Sequence, residues 1–264
     1  MELATRVGWT PSRGWLKLLL EHDPHAGLIA EHDNKAVGMV LTTRYRSTAW
    51  LGYLIMSPDD GTLGLGTVLA AEAIRRLRVE GFPTVRLEAT QSGFPIYRRL
   101  GFVSEFEVCR FRLDTARAAP DERLPPIARD HLDDLVHFDH KAFGDNRKRF
   151  LALAYEHAET TFLLQRGRTL LGYAMVIPSG TGVHLGPWIA RDAAAARALL
   201  ESALQACCGR TITTRVPRQN EEACALVSAA GFELMAPNFR MRLGGAACRG
   251  EIRRVFGIAS GATG

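Results

Sequence analysis

The sequence lacks three features that would assign it to a class directly. No apolar run reaches the ~20 residues that a membrane-spanning helix needs. Its five cysteines show no metal-site spacing; they are Cys109, Cys207, Cys208, Cys224 and Cys248. Aromatic residues make up 8% of the chain and are not interleaved with the arginines, as they would be on a nucleic-acid surface. We therefore expect no membrane, no metal and no nucleic acid among its partners.

The composition is that of a globular protein with room for two ordinary domains. The chain has 264 residues, of which 47% are hydrophobic, and a net charge of +5 that favours an anionic ligand only weakly. The apolar stretch at residues 14–23 is short and lacks a cleavage pattern, so we expect no signal peptide. Cysteines without a disulfide framework are typical of a reducing compartment, and we expect a cytoplasmic protein.

One pattern of strands and helices occurs twice along the chain. In the first half the alternation and turn residues predict strands at 26–32, 36–45, 49–56, 84–90 and 105–113, and helices at 67–80 and 92–102. In the second half they predict strands at 160–165, 170–177, 182–189, 211–216 and 239–243, and helices at 130–143, 192–207 and 220–230. The residues between the halves are rich in proline and charge, which is typical of a linker. We therefore predict domains at 1–113 and 130–244, a linker at 114–129 and a tail at 245–264.

A glycine-rich stretch, SPDDGTLGLGT (57–67), lies between a buried strand and a helix. The first N–H groups of a helix have no partner inside it, so a bare backbone there can bind a phosphate. The spacing G-x-x-G-x-G at Gly61, Gly64 and Gly66 is the reverse of the dinucleotide fingerprint. A nucleotide-binding P-loop would need a lysine before Thr67, and none is present. Two interpretations of this stretch remain: a loop that binds the pyrophosphate of coenzyme A, and an ordinary turn.

Two segments resemble the GCN5-related N-acetyltransferase (GNAT) family. LEATQSGFPIYRRLGF (87–102) is similar to the family's strand and helix ending in Tyr-x-x-x-Gly-Phe, with Tyr97, Gly101 and Phe102 at those positions. MSPDDGTLGLGTVLAAEAI (56–74) resembles its acetyl-CoA motif, with Gly61 where an Arg or Gln is expected. Three further segments resemble the second domain of bacterial YitH-like tandem acetyltransferases: AFGDNRKRFL, HLGPWIARD and VPRQN.

The resemblance implies an α/β (α+β) fold of two tandem GNAT-like domains, each with a mixed, mostly antiparallel central sheet flanked by helices. It also implies that acetyl-CoA, as acyl donor, binds the first domain. The implied coenzyme-binding residues are Ile55, Met56, Gly61, Thr62, Leu63, Gly64, Leu65, Gly66, Thr67, Thr90 and Tyr97.

The second domain looks degenerate for this purpose. Aligning Pro187 with Pro58 places alanines, Ala193 and Ala195, where Gly64 and Gly66 stand. A side chain at these positions would crowd a pyrophosphate. Asn220, at the start of a predicted helix in this domain, is expected to be an N-cap.

The implied reaction is direct acyl transfer from coenzyme A to a primary amine of a small molecule. Tyr97 is expected to donate a proton to the leaving thiolate, and a backbone N–H of the buried strand to bind the thioester oxygen. A base must deprotonate the amine. Glu88 is our candidate, with an ion pair to Arg86 or Arg99 as the structural alternative. The other candidates for the base are His22, His25, Asp139, His140 and Asp145.

Asp145 and Arg147, in the AFGDNR segment, are expected to touch the acceptor, with helix capping by Asp145 as the alternative. The buried strand 49–56 carries no carboxylate, and an Arg or Gln is missing from the glycine loop. The alternative function is therefore a catalytically weak acyl-CoA-binding or regulatory protein of the same fold. We expect a monomer or a homodimer.

Overall fold

The computed structural model describes residues 2–6, 13–23, 25–58, 64–117, 124–245 and 250–264. The chain forms two compact units. The first unit contains Met1–Glu105, Phe239–Ala247 and Gly261–Gly264, and the second contains Phe106–Asn238 and Cys248–Ser260. None of the described helices has the length and hydropathy needed to cross a membrane.

The first unit is built around a sheet whose first four strands follow one another in the sequence. Its elements are α1 (Glu2–Arg6), α2 (Arg13–His22), β1 (Gly27–His32), β2 (Lys35–Arg44), β3 (Thr48–Met56), α3 (Leu65–Val79), β4 (Thr84–Ala89), α4 (Phe94–Arg99) and the start of β5 (Val103–Leu113). The order is β1-β2-β3-β4, antiparallel except for the parallel pair β3–β4. The hairpin turn predicted at Asp33-Asn34 is confirmed, since both residues have a positive φ.

The two faces of this sheet carry different side chains. Ala49, Leu51, Val85 and Leu87 are buried in one cluster with α3 residues. Because successive strand residues point to opposite faces, Trp50, Gly52, Arg86 and Glu88 belong to the other face. The apolar face positions the helices, and the other face presents the charged residues.

The second unit repeats this plan. Its elements are the rest of β5, α5 (Leu132–Phe143), α6 (Lys148–His157), β6 (Thr160–Arg166), β7 (Thr169–Ser179), β8 (Gly182–Ala190), α7 (Ala193–Ala206), β9 (Ile212–Pro217), α8 (Glu221–Ala229), the start of β10 (Glu233–Leu243) and β11 (Val255–Gly257). The order is β5-β9-β8-β7-β6, with β11 on β8 and a parallel pair β8–β9. The predicted fold class is confirmed: each unit has a mixed, mostly antiparallel sheet flanked by helices.

The last strands of the two halves are exchanged between the units. Phe239–Leu243, at the end of β10, pairs antiparallel with β4 in the first unit. Val108–Leu113, at the end of β5, pairs antiparallel with β9 in the second. The boundaries predicted at 113 and 130 therefore differ from those of the compact units. The reason is physical, since an alternating pattern indicates a strand but not the strand with which it pairs.

Candidate functional site

The start of α3 is an open helix N-terminus. Its N-cap is Gly64, which has a φ of 69° and no side chain to accept from the helix. The first turn contains no acidic residue. The Gly64 carbonyl accepts from the Thr67 and Val68 N–H groups, as a helix start requires. The helix dipole and the first N–H groups are therefore offered to an external anion. Gly61, Thr62 and Leu63, also predicted to bind coenzyme, lie outside the described residues.

Glycine lets this helix start approach the end of β3. A Cβ on Gly66 would lie 3.1 Å from Met56 Cγ, and one on Gly38 would lie 2.4 Å from Met56 Sδ. A Cβ on Gly64 would meet nothing within 4 Å. A side chain at Gly66 would therefore press on Met56, whereas Gly64 suits the left-handed backbone conformation and has no described atom close in front of it.

Strands β3 and β4 stop pairing halfway along their length. Their ladder joins Thr48–Trp50 to Thr84–Arg86 and has no further pairs. A bulge in β3, between Gly52 and Ile55, contains Tyr53 at a φ of 50°. A bulge bends a strand and redirects its polar groups, and such features occur often beside active sites. The end of β3, which includes Ile55 and Met56, is thereby separated from β4 in front of α3.

Tyr97 lies on α4 with its ring in the core of the first unit. The side chain is 8% exposed and packs edge-on against Phe102, with ring centroids 5.7 Å apart. Burial raises the pKa of Tyr97, so the phenol stays protonated. Within the described part of the chain the Tyr97 hydroxyl has no hydrogen-bond partner. Nearby, Thr90 accepts through Oγ1 from the Gly93 N–H at 3.2 Å and so orders the turn before α4.

Glu88 lies on the opposite face of β4, half-buried. The ion pair suggested between Arg86 and Glu88 is wrong: the Arg86 guanidinium donates to Glu105, with Nε 3.1 Å from Oε2. Both of those side chains are almost fully buried. Arg240 lies opposite Glu88 in the β4–β10 register and stacks on Trp50, 4.2 Å from the ring centroid. Arg99, the other suggested partner, is exposed at the end of α4.

The equivalent helix start in the second unit is closed by its own carboxylate. Asp192 is the N-cap of α7, and its Oδ1 accepts from the Ala195 N–H at 2.9 Å. The pKa of Asp192 is lowered mainly by this backbone hydrogen bond and also by the nearby Arg191. The N-cap predicted at Asn220 is confirmed, because its side chain accepts from the Ala223 N–H. An anion therefore already occupies the α7 start, in contrast to α3.

Asp145 and Arg147 are buried in the second unit. The Arg147 guanidinium makes a bidentate ion pair with Asp139, at 2.7 and 2.8 Å. The Tyr173 hydroxyl donates to the same carboxylate, and the Phe143 ring lies 4.1 Å from the guanidinium carbon. Just before α6, Asp145 Oδ1 accepts from the Asn146 N–H and Asn146 Oδ1 accepts from the Lys148 N–H, so both side chains order the turn that leads into the helix. Asp139 is thus committed to a structural pair, and acceptor contacts of Asp145 and Arg147 stay predictions.

Three histidines remain from the list of candidate bases. The His25 backbone N–H donates to Asp23, and its side chain is exposed. His140 is exposed on α5. The side chain of His22 lies outside the described residues. Among the described residues, no group of three or more His, Cys, Asp or Glu side chains could hold a metal ion.

Comparison with known proteins gives two family matches. Residues 2–102 match the model described as "Acetyltransferase (GNAT) family", and residues 135–257 match that described as "Acetyltransferase (GNAT) domain". The chain is similar to the uncharacterized N-acetyltransferase YitH of Bacillus subtilis (strain 168), with 26% identity over 72% of this chain and 68% of YitH.

Solved structures with a similar fold are also described as acetyltransferases or GNAT proteins. A crystal structure from Pyrococcus horikoshii, provisionally described as an acetyltransferase, superposes with a TM-score of 0.83. It is 25% identical and covers 95% of this chain and 84% of that one. A tandem GNAT protein from the clavulanic acid biosynthesis pathway superposes with a TM-score of 0.61 at 16% identity. That match covers 89% of this chain and 88% of the other, and it bears on the fold alone.

Proposed function

The chain belongs to the GNAT family as a tandem pair of its domains, and from this premise we propose that it transfers an acetyl group from acetyl-CoA to a primary amine of a small molecule. Both family models describe acetyltransferases, so the reaction class follows from the family. The donor site, the acceptor and the residue roles are our proposals.

The residues of the first unit fit a coenzyme A donor. The open α3 start at Gly64 suits a pyrophosphate, because unpaired N–H groups and the helix dipole both favour negative charge. The separated end of β3, with Ile55 and Met56, would hold the pantetheine arm through its backbone groups. Leu65, Gly66, Thr67 and Thr90 would line the rest of the site, together with the predicted loop residues Gly61, Thr62 and Leu63. Bound acetyl-CoA supplies the acyl group as an activated thioester.

Three groups of the chain would do the chemistry. Glu88 would take the proton of the acceptor ammonium, directly or through a water, so that the amine becomes nucleophilic. Backbone N–H groups of β3 near its bulge would stabilise negative charge on the acyl oxygen. The Tyr97 hydroxyl, which burial keeps protonated, would be the proton donor to the leaving sulfur.

The contrast between α3 and α7 carries the proposal. Two helices at equivalent places in the two units begin differently: Gly64 leaves the α3 start open, while the Asp192 carboxylate fills the α7 start. An ordinary turn before α3 would be expected to use a capping side chain, as α7 does. Among the described residues no side chain caps α3, which leaves its first N–H groups available to an anionic ligand.

The experiment is a pair of measurements on the whole chain. Calorimetry should show acetyl-CoA binding, and a thiol-release assay with a panel of small amines should show turnover with at least one of them. Desulfo-coenzyme A, which cannot carry an acyl group, is the control for the release assay. No acetyl-CoA binding, or no release with any amine, would contradict the proposal.

The second candidate is a catalytically weak acyl-CoA-binding or regulatory protein. The observation in its favour is that β3 (TAWLGYLIM) carries no carboxylate. The same two measurements separate the candidates, because a binding protein would take up acetyl-CoA without release of coenzyme A for any amine.

We also propose a cytoplasmic location and a monomeric or homodimeric state. In support of the location, Cys109, Cys207, Cys208 and Cys224 are free thiols. Light scattering would measure the oligomeric state.

A further inference from the structure

The segment Gly261–Gly264 is part of the first unit and lies against the charged face of its sheet. Thr263 is fully buried, and Gly264 is also buried. The Tyr45 hydroxyl donates to the Thr263 carbonyl at 2.5 Å. A stretch far along the chain is therefore held in the first unit by the residue that follows β2.

The contacts of this segment are with β3 and with the proposed base. A Cβ on Gly261 would lie 3.2 Å from Glu88 Oε1 and 3.3 Å from Glu88 Cδ. A Cβ on Gly52 would lie 2.4 Å from the Ala262 Cβ and 2.7 Å from its Cα. These distances leave no room for a larger side chain at Gly52, and a methyl group at Gly261 would press on the Glu88 carboxylate and shift it by a few tenths of an ångström.

The place of these contacts matters because Glu88 and Gly52 flank the point where β3 and β4 separate. Tyr97 belongs to the core on the other side of the sheet. An amine that reaches Glu88 must therefore enter on the face where Gly261–Gly264 lies. A backbone segment already packed there takes up space that a long or bulky acceptor would need.

We propose that Gly261–Gly264 forms a wall of the acceptor pocket and sets the size of the amine that reaches Glu88. This inference rests on the proposed function and adds a specificity-determining segment to it. The wall admits a small amine and excludes a lysine carried on a polypeptide, whose backbone would have to lie where Ala262 and Thr263 lie. Gly261 allows the wall to touch the carboxylate, and Tyr45 holds the wall in place.

The first test narrows the pocket. Gly261→Ala should raise the KM of the acceptor by about tenfold, since one methyl group of misfit in a pocket costs about that much. The Kd of acetyl-CoA should change less than about twofold, because the donor residues lie elsewhere in the unit. A general loss of structure would change both the acceptor KM and the acetyl-CoA Kd, and thermal unfolding would detect it independently.

The second test loosens the wall. Tyr45→Phe removes the hydrogen bond to Thr263 and should raise the ratio of kcat/KM for a bulky amine to that for a small one by about fivefold, the worth of one hydrogen bond. Tyr155→Phe is the matched control. The Tyr155 hydroxyl, on α6 of the second unit, makes no hydrogen bond within the described residues.

The outcomes separate the two levels of inference. If the wild-type protein neither binds acetyl-CoA nor acts on any amine, the proposed function fails and the wall fails with it. If it acts on small amines but Gly261→Ala leaves the acceptor KM unchanged, the wall alone is overturned. Equal efficiency of the wild-type protein on lysine peptides and on small amines would also overturn it. If Gly261→Ala does not fold, an unchanged ratio in Tyr45→Phe is decisive against the wall.

Discussion

Tyr97 combines a buried ring with a hydroxyl that no described residue engages. If this hydroxyl protonates the leaving sulfur, Tyr97→Phe should lower kcat at least about tenfold, the lower end for general-acid catalysis. The Kd of acetyl-CoA should stay within about twofold, because the ring and its packing on Phe102 are kept. Steady-state kinetics and calorimetry measure the two quantities. If the folded Tyr97→Phe protein has the same kcat as the wild type, Tyr97 is not the general acid and its role is only in packing.

Burial of Tyr97 also has a consequence at alkaline pH. Its folded pKa lies above the unfolded value of about 10, so the stability it contributes is complete below pH 10 and is lost as the pH rises. Between pH 9 and pH 11 the wild-type free energy of unfolding should fall by about 1 kcal/mol more than that of Tyr97→Phe. Urea unfolding at each pH measures this difference. Tyr155→Phe is the control variant, because the Tyr155 side chain is only partly buried.

Arg147 shows how a motif residue can be structural. Its ion pair with Asp139 is almost fully buried, so Arg147→Ala leaves an uncompensated carboxylate and should cost about 3–5 kcal/mol of stability. The Kd of acetyl-CoA should be unchanged. Urea unfolding and calorimetry measure the two effects. A stable variant with a raised acceptor KM would instead support the acceptor contact predicted for this residue.

At the scale of the elements, the start of α3 offers a matched pair of glycines. Gly64 and Gly81, at opposite ends of the helix, both have a left-handed φ, and a Cβ on either would meet nothing within 4 Å. Valine at each therefore adds similar backbone strain. We expect Gly64→Val to weaken acetyl-CoA binding at least about tenfold and Gly81→Val to leave it unchanged, since only Gly64 faces the proposed phosphate. If calorimetry gives the same acetyl-CoA affinity for Gly64→Val and Gly81→Val, the glycine loop is an ordinary turn and does not bind the phosphate.

The elements themselves were largely predictable from the sequence. The hairpin at Asp33-Asn34 and the Asn220 cap follow from local chemistry, and the structure has them where they were expected. Helix α6 was missed, although its residues Lys148–His157 have a helical apolar spacing. No local rule identifies Glu105 as the partner of Arg86, because the two residues lie on different strands. The wall at Gly261–Gly264 was missed for the same reason, since its neighbours Gly52 and Glu88 are distant in sequence.

For the whole molecule, the two units predict one donor site per chain. Asp192 occupies the α7 start with a bond to Ala195, and an added phosphate would meet a carboxylate there. Calorimetry should give one acetyl-CoA per chain. Asp192→Ala should cost about 1 kcal/mol of stability and leave that stoichiometry unchanged, because alanines at the α7 start still crowd the site. Two equivalent sites in the wild-type protein would contradict the assignment.

The exchange of last strands has a consequence for how the chain is made. Strand β4 leaves the ribosome early, but its neighbour at Phe239–Leu243 follows only after nearly the whole second half has been synthesised. At ordinary translation speed that delay is on the order of ten seconds. Until then β4 lacks the partner that it has in the finished protein, and an unpaired strand edge can pair with other chains. A chain that ended before β10 would leave that side of β4 without the partner that it has in this structure.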